Sequence, residues 1–289
     1  YRQTYGQPIV NRELVQERMG RLAGYILSSD ALVAWCSALI DKGYRGELEC
    51  IIAKTFGSEC QKEAAIDLCM KTHGGRSFLG GHLIGDNIHD LLAPLIYEGE
   101  GDMLNMAFFK SLVKDHGKTF FEPVGKLMAQ LGKKSPSLTD IVKNYKTFLP
   151  YVNWMAREAV LPKRGIRPIG FSKDLVSHAK FAIRGLQKSA WEISALMRRH
   201  QLGLADRQCR MSILSRKIQN LTTIMATVCY AFSKGDQLNA EIANVSCDNL
   251  VNKITGKHPT DAQIKKSVAL GKKMGEKEIT SCNSVLMEY

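Results

Sequence analysis

Apolar residues recur at three- and four-residue spacing along almost the whole chain, which predicts an all-α protein. Asn11 is placed to cap a long helix over 12–41, whose apolar face takes Leu14, Val15, Met19, Leu22, Ile26, Leu32, Val33 and Ile40. Lys42-Gly43 ends it, a basic residue followed by a C-terminal glycine. A second helix over 46–72 uses Leu48, Ile51, Ile52, Phe56, Cys60, Ile66 and Leu68 and stops at Gly74-Gly75. Residues 76–85, with Gly80, Gly81 and Gly85, read as an irregular crossing before a short helix at 86–92. Pro94 ends that helix, and Asp102 is placed to cap another over 103–114. Two long antiparallel helices and two shorter ones make a bundle.

A second helical region follows, with helices expected near 121–131, 137–160, 172–201, 205–233, 238–254 and 260–273. The breaks fall at 132–136, 161–170, Gly235 and 256–259. The segment 161–170 reads as an exposed loop and 279–289 as a tail. The expected organisation is therefore a helical bundle over 1–117 and a basic helical extension over 118–289.

Charge sharpens that division. Residues 1–117 hold 12 Lys and Arg against 15 Asp and Glu, whereas 118–289 hold 28 against 13. The basic excess of the chain thus lies in the extension, which points to an anionic partner there. The eight cysteines are scattered without a Cys-x-x-Cys pair, and most lie in apolar helical patterns. They read as small buried hydrophobes of a reducing compartment, not as a zinc site or a disulfide framework. No uninterrupted apolar run reaches 18 residues, so no span is expected.

The stretch that carries chemistry is 91–102, LLAPLIYEGEGD. Glu98 follows seven uncharged residues, and Gly99 and Gly101 free the backbone to turn. A carboxylate in apolar surroundings gains proton affinity, as a general base acting beside a carbonyl requires. On spacing alone, Glu98 reads first as a solvated glutamate in a turn before a helix.

Three ordered segments give this stretch its meaning. Ile96-Tyr97-Glu98-Gly99-Glu100 resembles the Ile-Tyr-Glu-Gly-Thr loop of the acyl-CoA dehydrogenases. Arg2-Gln3-Thr4-Tyr5-Gly6-Gln7-Pro8-Ile9 is similar to that family's Arg-x-x-Phe-Gly-x-Pro-Ile. His73-Gly74-Gly75-Arg76-Ser77-Phe78 is similar to its glycine-rich run, at the family's distance from Glu98, and His89-Asp90 falls on its Arg-Asp pair. The chain is thus expected to be part of a longer protein, since the similarity begins mid-motif.

The resemblance implies an FAD-dependent oxidation of an acyl-CoA thioester to the 2,3-enoyl form. Glu98 stands where the α-proton base stands, its own N–H facing the thioester oxygen, with Tyr97 and Gly99 beside the substrate. Arg2, Tyr5, Lys71, Gly74, Gly75 and Glu100 fall on FAD-contacting positions, Arg2 and the glycines reaching the cofactor of a neighbouring subunit. Lys71 replaces a glutamine, and Glu100 replaces a threonine that bonds the flavin. Either Glu100 faces the cofactor, and like charge raises one carboxyl, or it points to solvent. Arg12-Glu13 replace a Phe-Gln pair.

The order of bundle and extension is most like the very-long-chain subgroup. It implies a long-chain fatty acyl-CoA substrate, an electron-transferring flavoprotein as acceptor, a homodimer or homotetramer, and a mitochondrial matrix or bacterial cytoplasmic setting. Residues 163–217 carry 13 basic residues against Asp174, Glu192 and Asp206. Lys173, Lys180, Arg184 and Lys188, interleaved with Phe181, Leu186 and Trp191, suit either an anionic membrane surface or a solvated bundle face. No motif supports nucleic-acid binding. The rival reading is a non-catalytic relative serving as an assembly or docking module.

Overall fold

The computed structural model describes residues 3–133, 136–160 and 172–276. Arg2, the 161–170 loop and the 279–289 tail lie outside them. Among the described residues the chain is helical almost throughout, as the periodicity predicts. The exception is a two-stranded antiparallel hairpin at the start, β1 (Gln3–Thr4) and β2 (Gln7–Pro8), in the register Gln3 to Pro8. Tyr5 (φ 50°) and Gly6 (φ 77°) are its two central residues, and positive φ at both is what a tight hairpin turn with right-handed strand twist needs.

α1 (Glu13–Asp41) follows a single 3-10 turn. Asn11 lies in that turn, and Arg12 takes the cap position with extended backbone, so the expected asparagine cap is not used. Arg12 instead reaches back to the hairpin, donating to the Thr4 and Tyr5 carbonyls, with its guanidinium 5.3 Å from the Tyr5 ring centre. α2 (Glu47–Lys62) runs on through a π-helical stretch, Glu63–Met70, into α3 (Lys71–His73). The wider π turn explains why one regular helix over 46–72 is not found.

The crossing that follows holds α4 (Leu83–Asp86) and α5 (Ile88–Leu92). After it come α6 (Gly101–His116), α7 (Glu122–Gln130), α8 (Leu138–Lys143) and α9 (Tyr145–Val160). Ser137 and Asp140 form a reciprocal capping box at α8. Asn144 interrupts the helix expected over 137–160. α10 (Lys173–His200), α11 (Gln208–Lys234), α12 (Gln237–Thr255) and α13 (Asp261–Glu276) lie close to their expected bounds. Asp236 caps α12 by accepting from the Asn239 N–H at 2.8 Å.

The described residues group into two compact units. One combines 1–101 with 168–182 and 219–289; the other combines 102–167 with 183–218. In the first, α1 is the central helix and packs on α13, α12 and α2. By length and composition α1 could cross a membrane. In this fold helices take one side of it, where Ala31 and Leu32 are almost fully buried, whereas Leu14, Ile26, Val33 and Ile40, expected on its apolar face, are exposed. The second unit has its own core, in which Phe109, Met106 and Met211 meet Ile193, Leu196 and Leu214. Asp102 belongs to it and is not an N-cap. It lies inside the first turn of α6, where Oδ1 accepts from Ser212 Oγ at 2.8 Å and from Arg216.

Glycine decides how closely α1 and α13 approach. A Cβ on Gly271 would lie 1.7 Å from the Gln16 carbonyl oxygen, and one on Gly20 would lie 2.2 Å from that of Ser267. Gly57 in α2 would meet nothing within 4 Å. Two alanine substitutions should therefore differ in sign. Gly271→Ala is expected to destabilise by about 1–3 kcal/mol through overpacking. Gly57→Ala should stabilise by up to about 1 kcal/mol by helix propensity. Urea unfolding of both variants checks this, and equal effects would refute the packing account.

Candidate functional site

The loop bearing Glu98 is built by the residues before it. α5 passes into a 3-10 turn, Ala93–Leu95, with Pro94 at its start, because proline has no N–H to continue an α-helix. Ile96 and Tyr97 close that turn by donating their N–H groups to the Ala93 carbonyl, each at 3.0 Å. The chain then reverses through two left-handed residues, Glu98 (φ 57°) and Gly99 (φ 103°), before α6 begins at Gly101.

Glycine adopts that conformation freely, whereas for an L-residue it costs roughly 1–2 kcal/mol. Among the described residues, Tyr5 and Glu98 are the non-glycine positions with positive φ. Both lie in the motifs singled out from sequence. Tyr5 is explained by its hairpin, but Glu98 has no hairpin to serve.

α2 holds this loop from one side. Lys54 donates its ammonium to the Gly99 carbonyl. The sequence reading missed Lys54, which stands in the middle of a long amphipathic pattern and looks like any solvated helix lysine. The Glu98 side chain is exposed, and Tyr97 is 68% exposed. The expectation that the preceding apolar run would bury the carboxylate is therefore not met within this chain. The 3-10 turn directs Ile96 and Tyr97 outward instead of folding them over Glu98. Glu100 is also exposed.

The glycine-rich segment is shaped by its own contacts. Gly74 takes φ 64°, which ends α3. Ser77, fully buried, donates to the Gly74 carbonyl at 2.7 Å. A Cβ on Gly85 would sit 1.9 Å from the Ser77 carbonyl oxygen, so α4 can pass only at glycine. His82 Nδ1 accepts from the Gly85 N–H at 3.2 Å, capping α4. Its Nε2 lies 2.8 Å from His73 Nδ1, so His82 Nε2–H is the donor of that pair. These contacts were not foreseen, since the sequence shows only two histidines nine residues apart.

A Cβ on Gly75 would meet nothing within 4 Å. Nothing inside this chain therefore requires glycine there, and the backbone is open to an outside group. Lys71 is exposed and paired with Asp67 one turn earlier, and its hydrogen bond holds Asp67 below the usual carboxylate range. Tyr5 is 97% exposed at the hairpin tip. The structure thus presents Tyr5, Lys71, Gly75, Tyr97, Glu98 and Glu100 at the surface and does not gather them into a closed pocket of this chain.

Comparison with known proteins shows what the chain is similar to. Residues 1–112 match the family model for the acyl-CoA dehydrogenase C-terminal domain. The chain resembles the C-terminal part of an acyl-CoA dehydrogenase. It is 25% identical over 209 residues to the human mitochondrial very long-chain specific acyl-CoA dehydrogenase, and 22% identical over 208 residues to that of Rattus norvegicus. Each alignment covers 72% of this chain and 30% of the relative. The chain thus spans less than a third of the length of those relatives. A crystal structure of an acyl-CoA dehydrogenase complexed with FAD from Bacillus anthracis superposes with a TM-score of 0.65 at 15% identity. That match covers 95% of this chain and 51% of the other. The all-α acyl-CoA dehydrogenase C-terminal fold expected from the motifs is the fold observed, and the similarity to the very-long-chain relatives reaches beyond residue 112.

The left-handed backbone at Glu98 yields a test of the loop itself. Glu98→Gly should relieve the strain and raise stability by up to about 1 kcal/mol, while Glu98→Gln should leave it unchanged. Thermal unfolding of the 289-residue chain distinguishes the two. A destabilised Glu98→Gly would show that the side chain is held by contacts that outweigh the strain.

Proposed function

We propose that this chain is the C-terminal part of an FAD-dependent acyl-CoA dehydrogenase that oxidises a long-chain fatty acyl-CoA to 2,3-enoyl-CoA, with Glu98 as the α-proton base. The observation that carries the reading is Glu98 itself: an exposed carboxylate in left-handed backbone, pinned through the next residue's carbonyl by Lys54, within a motif shared with the family. Strain of this kind persists only where the surrounding structure fixes it, and it concentrates at functional sites.

FAD, if bound, would supply the acceptor for the hydride from the substrate's β-carbon. The residues of this chain fit such a group at Gly75, where a side chain is absent for no internal reason, and at Tyr5, an exposed aromatic face. Lys71 offers a point charge in place of an amide, and Arg2 and Gly74 complete the proposed cofactor contacts. Glu98 takes the α-proton on a carboxylate oxygen. Its N–H, in the turn between Tyr97 and Gly99, is the proposed donor to the thioester oxygen as negative charge develops there. Gly99 keeps the approach to the substrate clear of a side chain.

On this reading, residues 1–117 form the catalytic bundle and 118–289 the extension of the very-long-chain type. An electron-transferring flavoprotein is the proposed acceptor. The assembly is a homodimer or homotetramer, in which Arg2, Gly74 and Gly75 serve a neighbouring subunit. The named relatives are mitochondrial enzymes, which favours the matrix over the bacterial cytoplasm as the setting.

A second reading, docking on an anionic membrane, has its own support. The apolar side of α10 is used inside the fold, where Leu175, Ala179, Ala182 and Met197 are buried, so α10 offers mainly its charges. An exposed apolar stripe lies earlier: Leu138, Val142, Tyr145, Leu149 and Val152, at alternating four- and three-residue spacing along α8 and α9. Lys143 and Lys146 flank it and are exposed. Apolar residues edged by lysine are what an interfacial helix needs.

The catalytic reading is tested in the full-length protein by its absorption spectrum with and without palmitoyl-CoA. A flavin band that bleaches is expected, and Glu98→Gln should abolish bleaching while the flavin stays bound. Bleaching retained in Glu98→Gln would remove Glu98 from the base role, and an absent flavin band would favour the docking module. The membrane reading expects co-sedimentation with anionic but not neutral vesicles, weakened by salt and by Leu138→Ser with Val142→Ser. Binding indifferent to lipid charge would count against it.

A further inference from the structure

We propose that Cys36 and Cys50 form a reversible dithiol–disulfide site, in which exposed Cys50 is oxidised first by hydrogen peroxide and Cys36 then closes the bond. The two sulfurs lie 3.3 Å apart, on α1 and α2 respectively. A bonded pair requires about 2.05 Å, so closure needs only a small movement of the side chains and helix ends.

The intervening turn puts the thiols in register. Gly43 donates to the Ile40 carbonyl at 2.8 Å and Tyr44 to that of Leu39 at 3.1 Å, closing the end of α1 through a left-handed glycine. Gly46, with φ 70°, starts α2, and a Cβ there would lie 2.9 Å from Ile40 Cγ1. Both glycines serve a tight reversal that brings residue 50 back alongside residue 36.

The two thiols are unequal. Cys50 is exposed, whereas Cys36 is 7% exposed. Burial and the neighbouring Cys50 thiol push Cys36 up to about 11, so it stays protonated and does not meet the oxidant itself. Cys60 and Cys247 are buried, and Cys209 and Cys229 are exposed on α11, so they serve as internal references. Cys50 also lies one helical turn before Lys54, on the helix that holds the Glu98 loop.

The chemistry balances without any group beyond the oxidant. The Cys50 thiol gives up its proton and its sulfur attacks one oxygen of hydrogen peroxide; the O–O bond breaks, the leaving hydroxide takes that proton and departs as water, and Cys50 becomes a sulfenic acid. The Cys36 sulfur then attacks the sulfenic sulfur, its proton passes to the departing hydroxide, and a second water leaves with the S–S bond formed. In total, two thiols lose two hydrogens and the peroxide gives two waters.

The test uses the reduced 289-residue chain treated with hydrogen peroxide under native conditions, then alkylated and digested with trypsin. Lys42 and Arg45 lie between the cysteines, so Cys36 and Cys50 fall on separate peptides. The expected product joins those two peptides, lighter than their sum by two hydrogens, and dithiothreitol releases them. In Cys36→Ala, Cys50 should advance to sulfinic acid with no linked peptide. Cys50→Ala, at an exposed position, should leave Cys36 fully alkylatable after unfolding and provides the test if Cys36→Ala does not fold. Cys50 carried to sulfinic acid in the unsubstituted chain with Cys36 still free, or linked instead to Cys209 or Cys229, would overturn the proposal.

Discussion

The first compact unit depends on the backbone of α1 touching the backbone of α13. Gly20 and Gly271 are the contact points, and Gly24 brings α1 equally near α12, where a Cβ would lie 3.2 Å from that of Ser246. Each glycine costs a helix interior about 1 kcal/mol relative to alanine. What offsets that cost is the long, close contact the glycines allow, since dispersion fades quickly as surfaces separate. The same packing accounts for part of the hydropathy of α1, since Leu14, Ile26, Val33 and Ile40 remain exposed. Small residues and close helices are also how helices associate in bilayers, so hydropathy alone does not separate the two settings. The partners of α1 in this fold account for the side they cover, that of Ala31 and Leu32.

Close approach also explains the polar residues buried along α1. Ser28 Oγ lies 2.6 Å from Ser246 Oγ and accepts from Thr227 Oγ1 at 2.9 Å, joining α1, α12 and α11. Larger side chains would force these helices apart, and smaller apolar ones would forgo the hydrogen bonds. At the rim, Glu63 of the π-helical stretch is bonded by Arg21 and lies 3.3 Å from Lys253 of α12. Burial alone would raise Glu63, but the Tyr25 hydroxyl, Lys253 and Arg21 together hold it below the usual range. It therefore stays ionised at neutral pH and ties α2's continuation to helices on both sides. Because its folded carboxyl is depressed, this contribution is complete above the ordinary glutamate range and is lost as acidification protonates it.

How much of this was legible in the sequence follows from what a pattern can encode. Helix positions were, because periodicity and glycine stops are local. The three motifs were, because their order and spacing need no tertiary knowledge. The partners of α1 were not: periodicity marks a face and says nothing of what covers it, and Gly20 and Gly271 read only as weak points in helices. Asp102 fitted a cap by position, yet Ser212 and Arg216, over a hundred residues away, hold it inside the helix. Lys54 was invisible for the same reason. The hairpin could have been found, since Tyr5-Gly6 between short extended pairs is a turn signal that the dominant helical pattern masked.

The placement of Glu98 shows what this segment contributes to its proposed chemistry and what it leaves to the rest. The chain fixes the backbone: Pro94 sets the turn, Gly99 permits the reversal, and Lys54 anchors the carbonyl. It does not desolvate the carboxylate, which stands in water together with Tyr97 and Glu100. A base of adequate strength needs that water removed, because hydration favours its charged form. On the proposed reading, the covering surface is the acyl-CoA with the cofactor and domains that meet this bundle. An exposed, strained and anchored carboxylate is a suitable half of such a site, since its geometry is set in advance and its reactivity is set by what closes over it.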